Sequence, residues 1–244
     1  MAGQPLIASY FFQRLRVVCL FCAVLLGSVC PVQADLTKAL EEAGWSEFTF
    51  EDKPANQFLH PNGDTDVIQV DTDKSVSIAY LPFVKKTVNL KHTPTLTFSW
   101  RRLGPAVDAN LTRKGGDDRT LAIYVAFPYK PEQASLKERL LRPFVEAREG
   151  SSAPGRVLTY IWGGGERGRW FENPYIGKAG WVKVLQIPSD ANWTWFDHQI
   201  DIWADFIDLF GCPPPAPSYI AISADSDDTG IKFSAQVRDL KFSG

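Results

Sequence analysis

Three carboxylates near the C-terminus are the residues whose type and spacing most strongly suggest chemistry. Asp225, Asp227 and Asp228 lie in the run DSDDTG, which ends at Gly230. Carboxylates at alternate positions before a glycine are typical of the first half of a calcium loop, because Ca²⁺ takes about six to eight oxygen ligands. The spacing predicts Asp225 and Asp227 as calcium ligands. A turn in which the aspartates cap backbone N–H groups, or a direct ligand contact, is the alternative.

Arginine and tryptophan side chains extend this candidate site. Trp100 and Arg101 end one predicted strand, Asp118 and Arg119 precede another, and Trp162 ends a third. Tryptophan stacks on sugar rings, and arginine stacks on aromatic rings and forks onto carboxylates or hydroxyls. Core packing of the tryptophans and a solvated Asp–Arg turn are the alternatives. The predicted ligand site comprises Trp100, Arg101, Asp118, Arg119, Trp162, Asp225, Asp227 and Asp228.

A glycine-rich run at 163–168 matches the letters G-x-G-x-x-G. In dinucleotide-binding folds this fingerprint opens a helix, whereas Asn173-Pro174 here signals a turn. We therefore predict a glycine loop between strands, at the rim of a site. The aromatic residues around and after this loop form a stacking platform if they are exposed and core if they are buried: Trp162, Trp170, Phe171, Tyr175, Trp181, Trp193 and Trp195.

Catalytic motifs are weak in this chain. His60, His92 and His198 are far apart, and neither a P-loop nor a G-x-S-x-G pattern occurs. Glycoside hydrolysis uses two carboxylates about 5–10 Å apart, and a sequence does not contain that distance. The carboxylates eligible for such a pair are Asp118, Glu172, Asp225 and Asp227. The sequence therefore favours a binding protein over an enzyme.

Short β-rich segments separated by turn residues must position these side chains. Nine or ten strands are predicted, with 193–198 among them and with 66–70 and 75–82 paired as a hairpin. Three short helices are predicted, at 36–43, 131–149 and 202–210. Pro143 is expected to kink or end the second helix. Many strands with few helices predict an all-β fold, an antiparallel β-sandwich of jelly-roll type with two or three short helical inserts.

The N-terminus has the pattern of a secretory signal peptide. Arg14 and Arg16 precede an apolar run at 17–29, and VQA at 32–34 is typical of a cleavage site. The apolar run is shorter than the ~20 residues of a membrane span, and an uncleaved anchor is the alternative. We predict a signal peptide at 1–34, a single domain at 35–244 without a membrane span, and a periplasmic or secreted location.

Composition excludes several classes of protein. The 244 residues are 45% hydrophobic and 22% charged, values that exclude long disorder and coiled coils. The formal net charge of −2 argues against a nucleic-acid partner bound through phosphates. Cys212 is the one cysteine after the predicted cleavage site, so we expect a domain that folds without an internal disulfide.

Several separated motifs occur together in this chain. They are Trp100-Arg101, 116–119, 160–162, 173–175, 204–211 and 222–229. In this order they resemble one bacterial family, domain of unknown function 3047, over about residues 46–242, with a helical insert around 131–155. The resemblance implies a secreted or periplasmic protein and brings no established activity. The closing segments are also similar to the last strands of carbohydrate-binding jelly rolls.

We hypothesise an exported, non-catalytic β-sandwich that binds a carbohydrate or another cell-envelope ligand. Calcium is the one cofactor that the residues suggest. A periplasmic glycan hydrolase with two of the carboxylates as acid and base is one alternative, and a structural envelope protein with an exposed apolar patch is the other. Convergence of the acidic and glycine loops on one pocket would favour a ligand-binding or hydrolytic protein. The ligand and the oligomeric state stay open.

Overall fold

A computed structural model describes residues 35–83, 87–134, 136–151 and 153–244. Two β-sheets pack face to face with few short helices, so the predicted jelly-roll-like β-sandwich is confirmed. The predicted signal peptide at 1–34 lies outside the described residues. Within the described ranges, no helix is both long enough and apolar enough to cross a membrane.

The strands divide into a six-stranded sheet and a seven-stranded sheet. In spatial order the first contains β1 (Asp35–Leu36), β3 (Gln57–Leu59), β4 (Val67–Asp73), β13 (Lys232–Ser243), β6 (Thr95–Leu103) and β11 (Phe196–Asp201). The second contains β2 (Ser46–Thr49), β5 (Val76–Pro82), β12 (Tyr219–Asp225), β7 (Arg119–Phe127), β8 (Arg156–Trp162), β10 (Gly177–Gln186) and β9 (Trp170–Asn173). Neighbouring strands are antiparallel except β1–β3 and β8–β10, which are parallel.

Among the described residues, three α-helices connect the strands, α1 (Lys38–Glu42), α2 (Leu136–Glu149) and α3 (Ile202–Phe210), together with short 3₁₀ helices at Pro61–Gly63 and Pro131–Gln133. The predicted end signals of α3 are confirmed. The Asp201 side chain accepts a hydrogen bond from the Ala204 N–H at 2.8 Å, and Gly211 adopts a left-handed conformation with φ of 70°. These two caps satisfy backbone groups that a helix leaves without partners at its ends.

The core lies between the two sheets and is rich in aromatic residues. Trp100 on β6 and Trp162 on β8 are 0% exposed, with ring centroids 6.1 Å apart. Their indole N–H groups donate to the Gln186 side chain at 2.9 Å and to the Ile187 carbonyl at 3.0 Å. Burial of a large indole is favourable when its N–H group finds an acceptor, so these residues hold the sheets together.

The predicted hairpin at 66–82 is wrong. β4 pairs with β3 and β13, whereas β5 pairs with β2 and β12 in the other sheet. The chain turns at Lys74, which has a φ of 55°, and passes from one sheet to the other. Alternating apolar residues fit either arrangement, because a strand can bury its apolar face against a facing sheet without pairing with its sequence neighbour.

The predicted strand at 193–198 begins later than expected. β11 starts at Phe196, and Trp193 has a φ of 63° with 65% of its surface exposed. The Trp193 N–H donates to the Arg102 carbonyl at 2.9 Å, which holds a loop rather than a strand. Trp193 and Trp195 therefore do not share one face of a strand.

Pro143 was expected to kink or end α2; it does not end the helix, which continues to Glu149. Proline inside a helix costs ~3 kcal/mol, and hydrogen bonds around the preceding residue offset this cost. Arg142 donates to the Glu146 carboxylate at 2.7 Å and to the Ala153 carbonyl at 2.7 Å. These bonds anchor the second half of the helix to the chain that follows it.

Candidate functional site

The glycine loop and the acidic loop leave the same end of the seven-stranded sheet. β7 lies between β8 and β12 and is antiparallel to both. The C-terminal ends of β8 and β12 therefore flank the N-terminal end of β7. The glycine loop follows β8, the acidic loop 225–230 follows β12, and the segment 104–118 leads into β7 between them.

Asp118 organises the acidic loop from within. Its side chain is 1% exposed and accepts hydrogen bonds from the Asp228 N–H at 3.3 Å and the Thr229 N–H at 2.6 Å. Lys53 forms an ion pair with Asp227. Buried carboxylates that accept backbone N–H groups hold a loop in one conformation. The sequence left a capped turn open as an alternative, and here Asp118, from outside the loop, caps these two N–H groups.

Three carboxylates that could hold a cation lie together among the described residues. Carboxylate oxygens of Asp118, Asp227 and Asp228 lie within 4.8 Å of one another, a grouping that oxygen-seeking cations such as Ca²⁺ use. Of the two predicted ligands, Asp227 belongs to this group and Asp225 does not, while Asp118 and Asp228 join it. Calcium itself stays a prediction.

Asp225 pairs instead with Arg119. The Arg119 guanidinium donates to the Asp225 carboxylate at 3.0 Å, to the Asp117 carbonyl at 2.6 Å and to the Tyr124 hydroxyl at 2.7 Å. The Tyr175 hydroxyl then donates to the Asp117 carboxylate at 2.6 Å. The hydrogen bonds join β7, β12 and the β9–β10 turn around the Arg119 guanidinium.

Burial separates the pKa values of the neighbouring carboxyls. Burial raises the pKa of Asp225 to about 8, although the Arg119 charge opposes the shift. Burial would also raise the pKa of Asp227, but hydrogen bonds from Asp225 and Lys53 hold it below its usual value. Asp225 is only 3% exposed, so a substrate would reach this carboxyl only if the surrounding loops opened.

The glycine loop packs directly against the segment 108–112. A Cβ on Gly164 would overlap the Ala109 carbonyl oxygen, and a Cβ on Gly163 would lie 2.9 Å from the Leu111 side chain. Only glycine allows two backbones to approach so closely. Close packing therefore explains these glycines, and a dinucleotide-binding role is not needed to account for them.

These two segments form the walls of an open groove of about 650 Å³, within the ~300–1,000 Å³ of small-molecule sites. The side chains that line it and can bind a ligand are Asp108, Asn110, Glu166, Arg169 and the half-buried Phe171, whereas Val184 in its wall is buried. The acidic loop does not line the groove. The two loops thus share one end of the sheet, and the groove lies on the side of the glycine loop.

The predicted ligand site divides into three places. Asp118, Arg119, Asp225, Asp227 and Asp228 do come together at one end of the seven-stranded sheet. The two predicted stacking residues, Trp100 and Trp162, are buried between the sheets, where no ligand can stack on them. Arg101, next to Trp100 on β6, lies on the outer face of the six-stranded sheet beside Gln236.

Sequence reasoning missed several of the residues that define this end of the sheet. Lys53 and Asp108 stand in loops without a motif, and Asn110 is marked only by the sequon Asn110-Leu-Thr112, so only the fold brings them beside 163–171 and 225–230. The sequence marks Phe171 as one of several clustered aromatic residues and does not indicate that it lines a groove. The sequence of β7 did contain one signal. Its large apolar residues alternate with the small residues of the other face, and Tyr124 is the one large residue on that second face, where it bonds to Arg119.

A comparison with protein families matches residues 43–241 to the family described as protein of unknown function DUF3047. The chain belongs to the DUF3047 family. The match spans the glycine loop, the acidic loop and both walls of the groove, and it confirms the resemblance seen in the sequence. A search of curated proteins finds no match for this DUF3047 chain.

Solved structures with a similar arrangement of strands are glycoside hydrolases of family 12. A xyloglucanase from Bacillus licheniformis has a TM-score of 0.40 and 12% identity, over 82% of this chain and 86% of its own. Endoglucanase 3 from Trichoderma harzianum has a TM-score of 0.40 and 9% identity, over 82% and 95% of the two chains. The likeness concerns the fold alone.

Proposed function

We propose that this DUF3047 protein is exported and binds a carbohydrate, without catalysis, in the groove between the glycine loop and the segment 108–112. The observation that supports this proposal is the lining of the groove. Exposed side chains that donate and accept hydrogen bonds stand beside the half-buried ring of Phe171, which packs against an apolar cluster that contains the buried Val184. A sugar presents both hydroxyl groups and an apolar C–H face, so it suits a site with a few convergent polar groups and an apolar surface.

The charged side chains of the groove are Asp108, Glu166 and Arg169, whose net charge of −1 disfavours an anionic ligand. Glu166 and Arg169 neutralise each other across 3.4 Å, and both side chains are mostly exposed. An exposed pair of this kind contributes little to stability, so both partners are free to exchange it for ligand hydroxyls. The predicted export to the periplasm or beyond would place the groove among envelope and extracellular glycans.

The test is isothermal titration calorimetry of the purified protein with neutral glucan, chitin and peptidoglycan oligosaccharides. The substitutions Asn110→Ala and Arg169→Gln should weaken binding of the active oligosaccharide about tenfold each, because each removes hydrogen bonds to the ligand. Lys38→Gln, an equally exposed change on α1, is the matched control. Binding that survives both groove substitutions would refute the assignment.

A glycan hydrolase remains the alternative, with less support. Its best acid is Asp225, whose pKa is raised, but this carboxyl is buried and bonded to Arg119. General acid catalysis needs a carboxyl within hydrogen-bond reach of the substrate oxygen. Reducing ends that accumulate with the wild-type protein and not with Asp225→Asn would establish hydrolysis in place of simple binding.

A structural role in the envelope is the other alternative, and one observation favours it. Leu136, Leu140 and Leu141 on α2 are exposed, and exposed apolar clusters are typical of interaction surfaces. Sedimentation velocity of the wild type and of the double variant Leu136→Ser, Leu140→Ser tests it. A concentration-dependent oligomer that the double variant abolishes would support this role.

A further inference from the structure

The outer face of the six-stranded sheet carries a second group of residues suited to a ligand. Trp100 points into the core, so its neighbour Arg101 lies on the outer face of β6. In the adjacent strand β13, Gln236 lies opposite Arg101 and Arg238 lies opposite Ser99, on the same face. Trp195 immediately precedes β11, the strand on the other side of β6.

Hydrogen bonds fix the orientation of the Arg101 side chain. Its Nε donates to the Gln236 side chain at 2.7 Å, and the Gln236 amide donates to Gln69 at 2.6 Å. Gln69 in turn donates to the Asp71 carboxylate at 2.8 Å. A guanidinium held by such a chain of amides loses little further freedom when it binds a ligand.

One indole contacts two guanidinium groups. The guanidinium carbon of Arg101 lies 4.5 Å from the Trp195 ring centroid, and that of Arg238 lies 4.2 Å from the same centroid. Cation–π contact holds both side chains in place without neutralising either charge. Two positive charges beside one ring favour the binding of an anion in this region.

Carboxylates of the protein do not satisfy this pair of charges. Within the ranges that the structure describes, Arg101 forms no ion pair, and its two terminal nitrogens have no hydrogen-bond partner. Arg238 has one carboxylate contact, at 3.7 Å from its Nε to Asp239; the Arg238 side chain is half-buried and the Nε has no hydrogen-bond partner among the described residues. The fork of Arg101 is therefore available for two parallel hydrogen bonds to a planar oxyanion.

An exposed aromatic residue is held at the end of β6 that carries Arg101. Trp193 is 65% exposed, and its backbone N–H bonds to Arg102, the residue after Arg101. We propose that Arg101, Arg238 and Trp193 form a binding site for an acidic sugar, with the carboxylate of a uronic acid residue on the guanidinium groups and its ring on Trp193. This site is on the opposite sheet from the groove and does not depend on the groove being a sugar site.

The test is calorimetric titration of the full protein with a short oligogalacturonate, the matched neutral oligogalactose and inorganic phosphate. The oligogalacturonate should bind at least about tenfold more tightly than either comparison ligand, because only it supplies both a carboxylate and a sugar ring. Equal binding of the neutral oligomer would overturn the role of the guanidinium groups. Equal binding of phosphate would overturn the assignment to a sugar.

Matched variants test the guanidinium groups. Arg101→Gln and Arg238→Gln should each weaken oligogalacturonate binding about tenfold, and Arg101→Lys should also weaken it because lysine lacks the fork. Lys241→Gln, which removes an exposed cation of β13, should leave it unchanged. Thermal unfolding of each variant checks the fold, and Arg238→Gln keeps the test valid if Arg101→Gln is destabilised. Unchanged binding in folded Arg238→Gln and Arg101→Lys would refute the proposal.

Discussion

Acidification is expected to destabilise this protein through His198. The imidazole lies opposite Phe98 on the inner face of β11, with ring centroids 5.0 Å from Phe98 and 5.1 Å from Trp100. Its Nε2 atom is buried without a hydrogen-bond partner among the described residues. Burial lowers the pKa of His198 from 6.5 to about 4, against the attraction of Asp197 and with help from Arg167.

The sign and size of the effect follow from linkage. Because the pKa is lower in the folded state, the unfolded chain takes up the proton first as the pH falls. The contribution is intact above the unfolded pKa of 6.5 and is lost progressively as the pH falls towards about 4. One pKa unit corresponds to ~1.4 kcal/mol, so acidification from neutral pH to about pH 5 should cost about 2 kcal/mol through this residue.

Urea unfolding near pH 7 and near pH 5 measures this cost. His198→Phe keeps a ring against Phe98 and Trp100 but does not titrate, so its loss of stability over the interval should be smaller than that of the wild type by about 2 kcal/mol. His92→Gln removes an exposed histidine and controls for the loss of one imidazole. Equal losses in the wild type and His198→Phe would refute the assignment of a buried, uncharged His198.

Three further predictions concern the end of the sheet that holds the groove. Gly164→Ala should destabilise the fold by about 3 kcal/mol in urea unfolding, because its Cβ meets the Ala109 backbone, whereas Gly163→Ala meets only a movable side chain and should cost less. Asp118→Ala should cost about 2 kcal/mol by leaving two backbone N–H groups without their acceptor, and the exposed Asp228→Asn should change stability by less than about 0.5 kcal/mol in the absence of metal. Millimolar Ca²⁺ should raise the melting temperature of the wild type and not of Asp228→Asn, and an equal response in both would remove these carboxylates from the calcium prediction.

Local signals made part of the fold predictable. α3 was predicted with its bounds because Asp201, Gly211 and Pro213 act on the backbone within a turn of the helix ends. The strands were predicted because alternation is a local pattern. The same alternation misassigned the pairing of β4 and β5, since it does not distinguish a strand paired edge to edge from one packed face to face.

The candidate site was predictable in type but not in membership. The acidic loop is visible as a run of letters, yet its buried acceptor Asp118 is 111 residues before Thr229, to which it bonds. Trp100 and Trp162 carry the same side chain as the exposed Trp193, and only the position of the facing sheet makes them core. Arg101 is adjacent to Trp100, but the two point to opposite sides of β6.

The sequence by itself determined the family, the β-sandwich class, the caps of α3 and the presence of an acidic loop, because each depends on residues close together in the chain or on their order. The tertiary structure decided which carboxylates meet, which tryptophans are buried and where the groove lies. These depend on the pairing of β7 with β8 and β12 and on the packing of one sheet against the other. Contacts between residues over a hundred positions apart arise only when those sheets assemble.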